Sequence, residues 1–310
     1  MGEATSIIIP AFNEAERFTR SLPRLREALA GLSDLEVIVV DDGSRDETAQ
    51  VAVSQLWGWD QAKVVRLPWN QGKGAAVKAG VAVASGEFLV FMDADLSADL
   101  ADLPELVAAL DRADIALGSR SVAGSRAVYD SSLRRVQSKF FNGMACVMTN
   151  VVASDTQCGF KAFRADAAKV LFHLCQTGRF AFDVELLALA QLLGYRIVEV
   201  PVGWVEEPGS SVRPLRDPIL MLRDLLGIRR RFQRLERRMR LASLGPDGPP
   251  AGIVPLAEPE LVIDLTHDEP VVALSGVDST PALPSPARGR AVHAEPDPLS
   301  LWPVPEPGRP

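Results

Sequence analysis

Cysteine is scarce: Cys146, Cys158 and Cys175 are the only three in 310 residues, too few and too scattered for a disulfide framework or a zinc site. No apolar stretch reaches the roughly 18 residues needed to span a bilayer. Aromatic residues make up 6% of the chain and the net charge is −7, so the stacking platforms and basic domain of a nucleic-acid-binding protein are both missing. Positive charge also nearly vanishes after Gly245. The stretch from Pro246 to Pro310 holds 15 of the 23 prolines and, before Arg309, only Arg288 and Arg290. Such a segment cannot offset its ordering entropy by burial, and residues 245–310 are expected to form a disordered tail. Residues 5–9 already read as a core strand, which leaves no room for a cleaved signal peptide; the expectation is a cytosolic protein whose membrane contact, if any, is peripheral.

What remains alternates strand and helix signals. Thr5 to Ile9 is a β-branched run ended by Pro10, and Glu14 to Ala30 shows helical periodicity through Phe18, Leu22, Leu25 and Leu29. Leu35 to Val40 reads as a second buried strand, and Ser44 with Glu47 has capping-box spacing for a helix from Thr48 to Leu56. Further strands are expected at Lys63 to Leu67, Glu87 to Met92 and Ala113 to Leu117, with helices at Gln71 to Ser85 and Leu133 to Asn150. This order implies an α/β fold, a mostly parallel sheet with helices on both faces.

Within it, Phe91-Met92-Asp93-Ala94-Asp95 places two carboxylates one residue apart at the end of an apolar run. On an extended backbone they point the same way, at the strand end where open α/β sheets bind ligands. Two hard oxygen ligands there suit a divalent cation carrying a phosphate-rich substrate. An isolated Asp-x-Asp is equally consistent with acidic residues solvating a strand-to-helix turn, with Asp95 or Ser97 capping the next element.

A second feature lies between Ile219 and Arg240. Leu225, Ile228, Phe232, Leu235 and Met239 form one apolar helical stripe, and eight arginines share the segment: Arg223, Arg229, Arg230, Arg231, Arg234, Arg237, Arg238 and Arg240. A cationic amphipathic helix of this kind suits the surface of an anionic membrane; a helix packed on the domain, a short coiled coil and a nucleic-acid-binding arm are the alternatives. The domain plan is therefore 1–218 an α/β domain, 219–244 a cationic amphipathic helix and 245–310 a proline-rich tail.

Four motifs occur in a recognisable order: Ile7-Ile8-Ile9-Pro10-Ala11-Phe12-Asn13-Glu14, Val39-Val40-Asp41-Asp42-Gly43-Ser44-Arg45-Asp46, Asn70-Gln71-Gly72-Lys73-Gly74 and Asp93-Ala94-Asp95. In this the chain resembles family 2 glycosyltransferases of the GT-A (Rossmann-like) fold. Asp155-Thr156-Gln157-Cys158-Gly159-Phe160-Lys161 and Phe180-Ala181-Phe182-Asp183-Val184-Glu185-Leu186-Leu187 are similar to the dolichyl-phosphate β-glucosyltransferase branch, and less closely to dolichyl-phosphate mannose synthases. The resemblance covers roughly residues 5–230.

It implies an inverting, metal-dependent transfer of glucose from UDP-glucose to a polyprenyl phosphate at the cytosolic face of a membrane, the alternative being mannose from GDP-mannose. Asp42 would bond the base edge, with Pro10, Ala11 and Glu14 flanking it. Asn70 and Lys73 would meet the diphosphate at a helix entrance. Asp93 and Ala94 would line the sugar side, and Asp95 with Asp93 would hold Mg²⁺ or Mn²⁺. Arg120 and Arg134 or Arg135 are candidates for gripping the acceptor phosphate, and Asp155 for orienting or deprotonating the acceptor, with Asp183 and Glu185 as rival bases. The chain departs from the family pattern at Ser97, where mannose synthases often carry Gln. It departs again near Gly209-Ser210-Ser211-Val212, where Arg213 or Arg216 replaces the usual Lys. Intact Asp42, Asp93, Asp95 and Asp155 argue against a non-catalytic relative.

Overall fold

A computed structural model describes residues 4–59, 61–129, 132–207, 216–242, 261–264 and 271–274. The β-branched runs form strands β1 (Thr5–Ala11), β2 (Leu35–Asp41), β3 (Ala62–Arg66), β4 (Phe88–Met92) and β5 (Ile115–Ser119). Helices α1 (Ala15–Leu29), α2 (Thr48–Leu56) and α3 (Lys73–Val83) connect the first four of these, and the short α4 (Leu103–Ala108) precedes β5. The periodic residues Phe18, Leu22, Leu25 and Leu29 of α1 are all buried.

The capping box expected at Ser44 does not form. The Ser44 hydroxyl instead accepts from the Asn13 amide at 2.8 Å, and the Asp46 carboxylate takes the Thr48 amide at 3.1 Å. The first helical amide is thus met from two residues nearer, while Ser44 ties the β1 and β2 exits together.

Beyond β5 come β6 (Arg126–Val128), α5 (Ser132–Thr149), β7 (Phe160–Arg164), α6 (Ala165–Leu174), α7 (Phe182–Leu192), β8 (Ile197–Pro201), β9 (Gly203–Val205) and α8 (Arg216–Ala242). In the main sheet the order β3-β2-β1-β4-β7-β5-β8 is parallel except for β7, which runs against both neighbours. This reversal positions the site. With Met92 opposite Phe160, the start of β7 meets the end of β4 and the Asp155–Lys161 motif arrives beside Asp93.

Two further strands, β10 (Leu261–Asp264) and β11 (Val271–Leu274), extend the sheet antiparallel from β3. They lie within the proline-rich segment, whose other residues are outside the described ones. Both are apolar, β-branched runs between prolines, and β3 offers an edge with unpaired backbone groups. Residues 277–310 lie outside the described residues.

In helix α8 the first part of the apolar stripe is covered by protein. Leu225, Ile228 and Phe232 are buried in the main core cluster with Ala145 of α5 and Phe182, Leu186 and Leu189 of α7. Burying three such side chains contributes roughly 1.5–3 kcal/mol each. Two ion pairs join them: Arg231 Nη2 to Glu185 Oε1 at 2.8 Å, and Arg179 Nη2 to Asp224 Oδ1 at 2.9 Å. The stripe therefore packs on the domain from Leu225 to Phe232, while Leu235 is exposed.

Candidate active site

Three strand exits build one edge of the site. At the exit of β1, Pro10 and Ala11 lie opposite Val40 and Asp41, and the Ala11 carbonyl accepts from the Asp42 amide at 2.8 Å. Asp42 is buried, and its two oxygens accept from the Gln71 and Gly72 amides, each at 2.7 Å. Burial pushes its carboxyl up to about 6 against the lowering effect of those N–H groups. The residue expected to meet a base thus also anchors the Asn70–Lys73 loop. Gly43 is obligatory beside it: its φ is +63°, and a Cβ would come within 2.5 Å of the Trp69 carbonyl carbon.

Asn70 is exposed at the loop's tip. Lys73 opens α3, and its Nζ lies 2.5 Å from Asp93 Oδ1. Burial would lower the Lys73 ammonium, but Asp93, Asp183 and Asp95 outweigh it and raise it. Asp93 and Asp95 follow β4 on a tight turn in which Asp95 Oδ1 accepts from the Ser97 amide at 3.0 Å and Leu96 takes a left-handed φ of 52°. Burial, then repulsion from Asp93, raises the Asp95 carboxyl. Glu14 shares this field: its carboxyl is raised by burial and by Asp95, while Arg17 Nη1 at 2.6 Å opposes the rise.

The second edge comes from the β5 exit and the segment before β7. Arg120 clamps Asp155 through Nε–Oδ2 at 2.7 Å and Nη2–Oδ1 at 2.9 Å, and its amide adds a third bond at 3.1 Å. Its guanidinium also lies 5.0 Å from the Trp204 ring centroid. Burial alone would raise the Asp155 carboxyl; Arg120 reverses this and holds it below the usual range. A carboxylate so engaged is a poor proton acceptor, and its pairing fixes the orientation of the Arg120 guanidinium. Asn142 of α5 fixes the loop, its Oδ1 accepting from the Thr156 amide and hydroxyl, both at 2.8 Å. Arg135 is exposed, whereas the Arg134 side chain, Gly209 to Val212, Arg213 and the Arg216 side chain lie outside the described residues.

The rival bases are buried elsewhere. Asp183 Oδ1 is 2.7 Å from Lys161 Nζ, and Glu185 pairs with Arg231 and accepts from the Thr177 amide at 2.8 Å. Burial raises Asp183, opposed by Lys161 and Lys73. Cys158 is buried too, and its thiol is pushed up to about 12, so it is no nucleophile.

Among the described residues no group of three or more His, Cys, Asp or Glu converges as a metal cage. The pair Asp93 and Asp95 nevertheless fits a divalent cation, because Asp95 is destabilised by the charge of Asp93 and Asp93 retains 37% side-chain exposure. Two carboxylates suit a cation whose other ligands are a diphosphate and water.

The family model described as glycosyl transferase family 2 matches residues 6–172. The chain belongs to glycosyl transferase family 2. Among the relatives of this transferase are dolichyl-phosphate β-glucosyltransferases. That of Homo sapiens is 35% identical over 247 residues, covering 73% of this chain and 75% of that protein. That of Drosophila melanogaster is 37% identical over 255 residues, covering 77% and 78%. That of Saccharomyces cerevisiae is 30% identical over 248 residues, covering 72% and 73%.

Solved structures with the same GT-A fold include glucosyl-3-phosphoglycerate synthase from Mycobacterium tuberculosis in complex with Mn²⁺, UDP and glucosyl-3-phosphoglycerate. It has a TM-score of 0.54 at 22% identity, covering 73% of this chain and 78% of that one. A mannosyltransferase from Pyrobaculum calidifontis in complex with GDP-Man and Mn²⁺ has a TM-score of 0.51 at 21% identity, covering 80% and 66%.

Sequence reasoning brought out the carboxylates at the strand exits but missed Trp204, Asn142 and the role of Gly159. Asn142 and Trp204 carry no motif signal. Gly159 sits inside a quoted motif, and its requirement is steric: a Cβ there would fall 2.0 Å from Asp93 Oδ2.

Proposed function

We propose that this transferase moves glucose from UDP-glucose to a dolichyl-type polyprenyl phosphate, with inversion, at a membrane surface. The observation that supports it most is the facing of two unlike charge sets at one end of the sheet. The Asp93–Asp95 carboxylates leave β4, and the Arg120 guanidinium, held by Asp155 and Trp204, leaves β5 across the reversed strand β7. Relatives named dolichyl-phosphate β-glucosyltransferases support the choice of sugar and acceptor.

In this reaction Asp42 accepts from the N–H of the base, Pro10, Ala11 and Glu14 flank the base, and Asn70 and Lys73 face the diphosphate. Asp93 and Asp95 would hold Mg²⁺ or Mn²⁺, which supplies neutralisation of the charge building on the departing diphosphate. Arg120 grips the acceptor phosphate as a planar fork, joined by Arg134 or Arg135. An acceptor phosphate oxygen attacks the anomeric carbon from the face opposite the diphosphate, the new C–O bond forms as the old one breaks, and UDP leaves with the bonding electrons. A phosphate is already ionised near neutral pH, so positioning by Arg120 and Asp155 replaces a strong base.

Among the described residues no helix is long and apolar enough to cross a membrane. The surface proposed to meet the bilayer is the outer face of α5, where Val136, Phe140 and Val147 are 63%, 67% and 78% exposed beside the exposed Arg135 and Lys139. Leu222 and Leu226 of α8, which packs on α5, continue it with Arg223, Arg229 and Arg230. Turnover of a panel of UDP- and GDP-sugars with a polyprenyl phosphate tests the proposal: UDP-glucose should be preferred, and preference for GDP-mannose would overturn the assignment of donor.

A further inference from the structure

Behind Lys73 and Asp93 lies a buried row of alternating charges, two members of which, Lys161 and Asp183, have no part in the proposed transfer. Lys161 on β7 is 1% exposed, and its ammonium donates to the Cys158 carbonyl at 2.6 Å and to Asp183 Oδ1 at 2.7 Å. Asp183 in turn lies within the field of Lys73, whose ammonium contacts Asp93. The Phe91 ring is flanked by both cations, with Lys161 5.1 Å and Lys73 5.9 Å from its centroid. Backbone packing enforces the neighbourhood. Gly74 lies so close to Phe182 that a Cβ would fall 2.6 Å from the Phe182 Cβ, which juxtaposes the first turns of α3 and α7 and sets Lys73 and Asp183, each one position along the chain from this contact, in a common field.

A buried ion pair is a poor way to gain stability, since an apolar pair of similar volume generally does as well or better. A row that ends on a candidate metal ligand is better explained by what it does to that ligand. We infer that Asp183, fixed by Lys161, is a positioning residue acting through Lys73. The Lys73 ammonium is paired with Asp93 and also feels the charge of Asp183; Asp183 holds it in place when Asp93 turns to a divalent cation, leaving Lys73 aimed at the diphosphate. Without Asp183, Lys73 has Asp93 as its remaining anion and competes with the metal for it. The inference rests on the proposed donor site of Asp42, Asp93, Asp95 and Lys73.

The experiment measures binding without turnover, by the electron paramagnetic resonance of free Mn²⁺ titrated with the full-length protein, with and without UDP. Asp183→Asn should weaken Mn²⁺ binding in the presence of UDP by about tenfold, the lower end of the loss seen when the partner of a metal ligand is removed. Lys73→Met should have the opposite sign for Mn²⁺ alone, tightening it, while UDP binding weakens. In the Lys73→Met background, Asp183→Asn should change Mn²⁺ affinity by less than about twofold, because coupled residues are non-additive. Equal effects of Asp183→Asn in both backgrounds would overturn the inference, since Asp183 would then act as a general negative charge.

Lys161→Met combined with Asp183→Leu keeps the interior neutral and so guards against misfolding. If this double variant melts like the wild type yet binds Mn²⁺ with UDP at wild-type affinity, the inference is also overturned. Asp95→Asn separates the two levels. If wild type binds Mn²⁺ and UDP and Asp95→Asn does not, the donor site stands whatever Asp183 does. If the wild type itself fails to bind them, the donor site and this inference fall together.

Discussion

Replacing Gly159 by alanine should disable the transferase while leaving its fold nearly intact. The added Cβ would fall 2.0 Å from Asp93 Oδ2, 2.2 Å from Cγ and 2.5 Å from Oδ1, whereas real contacts of this kind stay beyond 3.0 Å. The backbone does not obstruct the change, because Gly159 lies outside the left-handed region. Strand β7 cannot retreat cheaply either, since the Gly159 carbonyl accepts from the Asp93 amide at 3.0 Å and Phe160 is in register with Met92. The group that yields is the Asp93 carboxylate, which is 37% exposed on its open side and must swing away by about 1 Å, leaving Lys73 and its share of the cation. A displacement of that size at a reacting centre costs on the order of 10²-fold in rate, while a rearranged, partly exposed side chain costs about 1 kcal/mol or less in stability. Transfer from UDP-glucose, Mn²⁺ titration and thermal melting measure the three quantities. Wild-type kcat and Mn²⁺ affinity in Gly159→Ala would refute the steric coupling of β7 to Asp93.

Asp42 must be ionised to accept from a base N–H, and burial sets its carboxyl at about 6, so affinity for UDP-glucose should fall about tenfold per pH unit below that value; a flat profile between pH 7 and 5 removes Asp42 from base recognition. The same raised carboxyl acts oppositely on stability: with a folded-state value above the unfolded one, its destabilising contribution is absent at low pH and develops as pH rises from about 4 to 6, so the wild type should lose stability over that range while Asp42→Asn, which keeps one acceptor oxygen for the Gln71 and Gly72 amides, shows no such loss in thermal melts. Asp95→Ala should abolish transfer and metal-dependent donor binding; normal turnover in that variant, or full wild-type activity in excess EDTA, would exclude the metal role. Phe140→Asp with Arg229→Glu and Arg230→Glu should release the protein from anionic vesicles, given about 1 kcal/mol per basic residue near such a surface, while transfer to a short soluble phosphate acceptor persists; cosedimentation like the wild type would remove α5 and α8 from the membrane face.

The five long parallel strands were legible because each is a β-branched or apolar run closed by a turn, and both faces of such strands are covered. Strand β7 was not legible as a strand: its second residue, Lys161, is a charge, and the partner that makes its burial tolerable, Asp183, stands 22 residues away. Strands β6 and β9 have three residues each, too short to show a period. In α8 the apolar stripe was visible but its partner was not, since periodicity identifies a face without saying whether lipid or protein covers it. The strand-exit carboxylates were equally visible, while the Arg120–Asp155 clamp, 35 residues apart, and the β5–β7 pairing that creates it belong to tertiary structure alone.

The reversed strand explains why donor and acceptor chemistry can share one site without sharing residues. Parallel strands β1, β2 and β4 deliver their exits to the same edge, which brings Asp42, Asp93 and Asp95 together but supplies only negative charge. An all-parallel sheet would carry the entrance of β7 to the opposite edge, away from Asp93. Because β7 runs backwards, the chain entering it passes Asp93 at Gly159 and meets Arg120 at Asp155, so a cation fixed by its own carboxylate partner stands on the acceptor side. The pairing matters for the energetics as well. An unpaired guanidinium buried there would cost several kcal/mol, whereas one already matched to Asp155 and stacked on Trp204 keeps a fixed orientation toward an anionic acceptor. The proposed acceptor side should therefore depend on Asp155 and Trp204 as much as on Arg120, and the proposed donor side on Gly159 as much as on Asp93.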